Sequence, residues 1–365
     1  MDLERILNLN QFEAHAREQM EPYAFAYYCG GAGDEITMRR NLDAWNRFSL
    51  RPRVFVDISS VDISSSMLGT PVSMPVGFAP TALHKLAHPD GELASARATG
   101  EAGALICLST LSTYSIEEVA KAGGGPRWFQ VYVHKDRELA IELVQRAVAS
   151  GYSGIVVTAD LPAPGYRERE FAHGLTVPED ASPANFPNAA TEEEFNDYLD
   201  HLHDRSLTWD DLSWMREAAG EVPVLVKGLL TEEDAILANE HGADGIIVSN
   251  HGGRQLDRSP APIDVLEEIV QAAGECEVFL DGGVRRGIDV VTALALGAKG
   301  VFVGRPLLYA LAAGGEEGVG RALELLRAEI ENAMTLLGVT RVDEITRAHV
   351  GPTSDSVGLG GLSSG

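Results

Sequence analysis

Nine consecutive residues, Ser249-Asn250-His251-Gly252-Gly253-Arg254-Gln255-Leu256-Asp257, bring an imidazole and a guanidinium together around two glycines. An imidazole titrates near neutrality, which suits His251 to act as a general base. Arg254 offers a planar fork that matches a carboxylate. His251 capping a turn and Arg254 pairing with Asp257 is the plainer reading, and the two groups side by side favour the chemical one. Asp160, just past another apolar run, is the candidate to orient His251 and to stabilise its protonated form. Lys227 follows Val224-Leu225-Val226. It either pairs with an acidic residue of the lid, the insertion at 161–221, or sets a fixed positive charge against a cofactor that gains negative charge.

Two later segments point to an anion. Asp281-Gly282-Gly283-Val284-Arg285 and Gly304-Arg305 place small residues with accessible backbone amides beside guanidiniums. Amides and arginine forks together hold phosphate, whereas glycines used only as turns would leave Arg285 and Arg305 unexplained.

The elements that must position these groups follow one repeated pattern. Eight short apolar runs occur at Met74–Pro80, Ala104–Ser109, Trp128–Val133, Gly154–Thr158, Val222–Lys227, Gly245–Ser249, Glu277–Leu280 and Gly300–Gly304. Their near-continuous apolar character predicts parallel strands covered on both faces. Helical signals separate them. Thr231-Glu232-Glu233-Asp234 reads as a capping box for a helix ending at Gly242, and Asp136 caps a helix closed by Gly151. Strand and helix alternating eight times predicts an α/β fold, the (β/α)8 TIM barrel. An open doubly wound sheet is the alternative, but no GxGxxG follows the first strand.

Barrel sites form at the C-terminal ends of strands. Those ends supply Pro80, Thr81 and Ala82, then Ser109, Gln130 with Tyr132, Thr158 with Asp160, Lys227, Ser249 with His251, Asp281 with Gly283, and Gly304 with Arg305. Residues 1–350 read as one domain. Within it, residues 1–73 hold a helical segment, Asn10–Tyr28, and a strand-like Val54–Val56, and are expected to cover the bottom of the barrel. Residues 161–221 carry five prolines (Pro162, Pro164, Pro178, Pro183, Pro187) and an acidic stretch from Thr191 to Asp211. An insertion after the fourth strand lies at the mouth and predicts a lid. Residues 351–365, rich in glycine and serine, predict a flexible tail.

Composition narrows the partners. The 365 residues include 29 Lys+Arg and 54 Asp+Glu, so 29 − 54 gives a formal charge of −25, which opposes nucleic acid binding. The longest apolar stretch, Val290 to Val303, is interrupted by Gly297 and Lys299 and is too short to span a bilayer. Three cysteines without CxxC spacing argue against a disulfide framework or a cysteine metal site. With no signal-peptide pattern at the start, the expectation is a cytoplasmic protein.

On the segments Ser249–Asp257 and Asp281–Gly287 the chain resembles the FMN-dependent 2-hydroxy acid oxidases and dehydrogenases. Pro80-Thr81-Ala82, Phe129-Gln130-Val131-Tyr132, Val226-Lys227-Gly228 and Gly304-Arg305-Pro306 extend the likeness, which runs from about residue 10 to about residue 350. The resemblance implies FMN as cofactor. Its ring system would meet Pro80, Thr81, Ala82, Ser109, Gln130 and Thr158, with Lys227 near N1, while Ser249, Asp281, Gly283, Arg285, Gly304 and Arg305 would serve the rest of the cofactor. It further implies His251 as base with Asp160 behind it, Tyr132 on the substrate hydroxyl or carboxylate, and Arg254 and Arg167 on the carboxylate, Arg167 arriving from the lid. Departure of the Cα hydrogen as proton or as hydride suits this residue set equally.

The implied reaction oxidises an (S)-2-hydroxy acid to the 2-oxo acid and passes electrons to O2, giving H2O2. A monooxygenase variant, an acceptor other than oxygen, and a flavin-binding barrel without turnover are the alternatives. Relatives also imply a homotetramer or octamer. Two departures bear on substrate: Phe25 aligns where relatives often carry a tyrosine, and Leu111 stands where glycolate oxidase has tryptophan. Both make the expected pocket more apolar, which favours a side chain larger than that of glycolate.

Overall fold

The computed structural model describes residues 2–186 and 204–353. Eight parallel strands close into a barrel: β1 Val76–Phe78, β2 Leu105–Leu108, β3 Arg127–Val131, β4 Ile155–Thr158, β5 Val224–Leu229, β6 Gly245–Val248, β7 Glu277–Asp281 and β8 Gly300–Val303. The predicted runs coincide with them, and β8 pairs back onto β1 through Val301 and Val76. The strands are buried along almost their whole length because helices cover the outside and packed side chains fill the inside. Trp128 anchors that interior, its ring 5.4 Å from Phe279 and 5.6 Å from Phe302.

The helix signals mark real elements. Thr231 accepts a hydrogen bond from Asp234 N and starts a helix over Glu232–Glu240, and Asp136 accepts from Glu138 N at the start of Arg137–Ala149. The helix Arg305–Leu337 follows β8 and leaves helical geometry at Gly314 and Gly315.

The flanking parts differ from expectation in five respects. The segment Asn10–Tyr28 is not one helix: it divides into Phe12–Gln19 and Pro22–Cys29, because Pro22 can open a helix but not continue one. Residues 1–73 also do not all lie at the bottom. The hairpin Ser65–Met67/Thr70–Val72 does so, with Met67 buried against the interior cluster and Leu68 N donating to Glu277 at the start of β7. Pro22–Cys29 and Ile36–Asp43 sit at the mouth, where Ala32 N donates to Gly253 O and Thr37 N to Asp257.

Val54–Val56 is exposed and forms no strand, since Phe55 adopts φ +60°, outside the extended region. The edge strand is instead Phe48–Leu50, paired antiparallel with Val350–Pro352, so positions 351 and 352 belong to the folded body. Residues 354–365 of the expected tail lie outside the described residues. The lid is shorter than 161–221: Leu212–Ala219 packs on Arg137–Ala149 and against β5 as the fourth barrel helix. Residues 187–203, including most of the acidic stretch, are also outside the described residues.

Candidate active site

The loop after β6 is built to present His251. Residues 251–253 take φ values of +57°, +65° and +77°, a left-handed run that two glycines make accessible. Ser249 Oγ accepts from His251 N, and Asn250 Oδ1 accepts from Gly253 N. Asn250 and Asn41 exchange side-chain hydrogen bonds of 2.7 and 2.8 Å, tying the loop to Ile36–Asp43. The strained backbone of His251 is thus held by partners on both sides.

Nδ1 of His251 lies 2.9 Å from Oδ1 of Asp160. An ionised carboxylate only accepts, so Nδ1 carries the hydrogen and Nε2 keeps the basic lone pair. Burial pulls the His251 pKa down; Asp160 opposes that and Lys227 reinforces it, leaving the imidazole below its ordinary value. Burial would raise Asp160, but His251 and Lys227 outweigh it and keep the carboxyl below its usual range. Lys227 Nζ is 3.5 Å from Asp281, whose other oxygen accepts from Ser249 Oγ at 2.6 Å. Its acidic partner is therefore on β7, not on the lid. Despite its burial, Asp281 and Asp160 hold its pKa above the ordinary lysine value.

His251, Lys227 and Asp281 line a cavity of about 940 Å³ at the mouth. Tyr132, Arg167, Arg254 and Leu111 join His251 and Lys227 on its walls. Arg254 donates to the carbonyls of Tyr27 and Gly30, and its guanidinium lies 5.0 Å from the centre of the Tyr27 ring. Arg167 reaches it from the lid, donating Nε–H to Arg254 O and Nη2–H to Gln255. Gln255 also donates to the carbonyls of Asp160 and Ala163, which pins the start of the lid to the β6 loop. Arg254 does not pair with Asp257, which caps the turn at Thr37 instead.

Phe25 does not belong to the site. It packs against Tyr309, ring centres 5.9 Å apart, with the Arg17 guanidinium over its ring, and does not line the cavity. Tyr27 does line it, and burial together with Arg254 governs its hydroxyl. Two positions along a helix is a turn of about 200°, so Phe25 and Tyr27 face opposite ways. Tyr28 lines the cavity too, but its hydroxyl is committed to the carbonyls of Ala82 and Leu83. The hydroxyl expected to be missing is thus supplied by Tyr27, and neighbouring tyrosines in an apolar helix are the signal that pointed to it.

The same cavity also suits a phosphate. Arg285 and Arg305 line the cavity without a carboxylate in ion-pair range among the described residues. Arg305 gives three hydrogen bonds to the carbonyls of Tyr28, Gly30 and Gly252, Arg285 one to Val284 O. Burial pushes Arg305 down to about 10 and also lowers Arg285. Buried cations without a counterion are costly, and a bound phosphate supplies one. Gly304 and Gly283 border the same space. Ser109, Gln130 and Thr158 form a hydrogen-bonded row across the ends of β2 to β4, and Pro80, Thr81 and Ala82 after β1 line the cavity. The donor set matches a flavin mononucleotide.

Comparison with known proteins decides the assignment. The family described as FMN-dependent dehydrogenase matches residues 16–352. The chain belongs to this family. It is 45% identical to glycolate oxidase of Spinacia oleracea, over 96% of this chain and 99% of that one, and 47% identical to glycolate oxidase 3 of Arabidopsis thaliana, over 94% and 96%. Among solved structures, mandelate oxidase with (S)-4-hydroxymandelic acid superposes at TM-score 0.90 with 39% identity, covering 95% and 99%. A soluble mutant of (S)-mandelate dehydrogenase from Pseudomonas putida gives 0.89 with 37% identity over the same shares. The family's cofactor is FMN, and Arg285, Arg305, Lys227 and the β2–β4 row are the residues here that would hold it.

Proposed function

We propose that this FMN-dependent 2-hydroxy acid oxidase acts on a monocarboxylic acid with an apolar side chain larger than that of glycolate, and uses O2 as acceptor. The observation that carries the reading is the convergence of the His251–Asp160 pair with Arg254 and Arg167 on one cavity.

Each residue then has one task. Arg254 and Arg167 hold the substrate carboxylate and fix the Cα carbon relative to the base. Tyr132 and Tyr27 stay protonated, because burial raises both pKa values, and can donate hydrogen bonds to the substrate's oxygens. His251 Nε2 takes the proton released on oxidation, and Asp160 stabilises the resulting imidazolium. FMN, when bound, supplies the two-electron acceptor. Lys227 contributes fixed positive charge beside it. Oxygen then accepts both electrons and two protons to give H2O2.

Leu111, Leu161, Leu175, Tyr166 and Phe171 support the apolar side-chain assignment, since all five line the cavity. Phe25 no longer contributes to it. Anaerobic flavin reduction by glycolate, lactate, longer aliphatic 2-hydroxy acids and mandelate tests the reading; the fastest reduction by glycolate would overturn it. No helix among the described residues is long and apolar enough to cross a membrane. Three free, buried thiols support a reducing compartment such as the cytoplasm, and the fully exposed Phe55 beside Val54 supports a homo-oligomer.

A further inference from the structure

Glu170, in the lid helix Glu168–His173, places its carboxylate between the two arginines assigned to the substrate. Oε2 is 3.5 Å from Nη1 of Arg167 and 3.7 Å from Nη2 of Arg254. The three side chains are enclosed, each 13–14% exposed. The other hydrogen bonds of both arginines go to neutral oxygens: the carbonyls of Tyr27, Gly30 and Arg254, and Gln255. Glu170 is therefore their one carboxylate partner among the described residues.

Nearby, Asp160 faces His251 and Asp281 faces Lys227, so neither pair offers an unpartnered cation. Taken by themselves, these two guanidiniums and one carboxylate carry a single net positive charge. One substrate carboxylate neutralises it. A second would stand near Glu170, with Lys227 paired to Asp281 and with Arg305 and Arg285 taken by the phosphate of FMN. Arg205 also lines the cavity, but it is exposed and its charge is screened by water.

We propose that Glu170 is a specificity-determining residue that limits this site to one substrate carboxylate, admitting 2-hydroxy monocarboxylates and rejecting 2-hydroxy dicarboxylates. The inference rests on the 2-hydroxy acid reading and names the substrate class within it. Selectivity here comes from a repulsive element set against the wrong ligand.

The test uses the full-length, FMN-loaded enzyme and anaerobic flavin reduction by 2-hydroxypentanoate and 2-hydroxyglutarate, acids of equal carbon count that differ by one carboxylate. Wild type is expected to favour the monocarboxylate. E170Q is expected to raise kcat/KM for the dicarboxylate relative to the monocarboxylate by about tenfold, chiefly through KM, since like charges at short range repel by well over 1 kcal/mol. E170D keeps the charge and should return the ratio toward wild type. An unchanged ratio in E170Q, or a parallel loss for both acids, would overturn the proposal. So would a wild type that prefers 2-hydroxyglutarate, a result that needs no variant. Reduction by neither these acids nor shorter and aromatic ones would instead overturn the 2-hydroxy acid reading itself.

Discussion

Asp160 reaches His251 because residue 228 has no side chain. A Cβ on Gly228 would lie 2.6 Å from the Cβ of Asp160, and the glycine holds φ +111°. Gly228 directly follows Lys227, so one small residue lets two functional strand ends, β4 and β5, come together. Gly228→Ala should strain the backbone by about 1–3 kcal/mol and displace Asp160 as well. A lower Tm together with a lower kcat is expected; a drop in Tm alone would show that the pair tolerates displacement.

His251→Gln should keep the flavin and lose substrate reduction by about 10²–10⁴-fold, the usual range for a missing general base. Stopped-flow flavin bleaching at saturating substrate gives the number. Unchanged bleaching would remove His251 as the base.

The acid limb of kcat/KM should report the same imidazole. The base works unprotonated, so activity falls as pH drops through its pKa. Burial, reinforced by Lys227 and only partly opposed by Asp160, puts that midpoint below the ordinary 6.5. Asp160→Asn removes an influence that raises the pKa and should move the midpoint lower still. A midpoint that moves upward in this variant would contradict the assigned pairing.

Arg254→Met should raise KM and lower kcat for any 2-hydroxy acid, with a loss of about 2–5 kcal/mol in transition-state binding. Arg254→Lys should recover only part of it, because an ammonium cannot both reach the Tyr27 and Gly30 carbonyls and present a fork.

Tyr27 and Phe25 make a paired test of helix phase. Tyr27→Phe should lower kcat/KM by about 1–3 kcal/mol through one lost buried donor. Phe25→Leu should act on stability instead, since its ring packs on Tyr309 away from the cavity. Steady-state kinetics and thermal unfolding of both variants separate the two positions.

Much of this protein could be read along the chain. Parallel barrel strands are buried on both faces, so each appears as an apolar run ending in a polar residue. Those endings are where barrel chemistry sits, which is why His251, Asp160, Lys227 and Arg285 were legible as candidates. Asp136 and Thr231 were legible for a related reason, because a cap is a local bond between near neighbours.

Other features depended on contacts between distant segments. The helix Pro22–Cys29 is apolar all round, so no polar face reveals whether Phe25 or Tyr27 points into the mouth. Its orientation follows from packing against the lid and the β6 loop, more than 130 positions away in the chain. The same holds for the N-terminal residues, which divide between the mouth and the bottom of the barrel.

Residue types and their spacing along the strands thus determined the barrel and the candidates for base and anion-holding arginines, since each is set by local pattern and strand direction. Which tyrosine lines the cavity, where the fourth barrel helix begins, and the placing of Glu170 between Arg167 and Arg254 were decided only in three dimensions. There the helix Glu168–His173 lies at the cavity and brings together charges that no local rule relates.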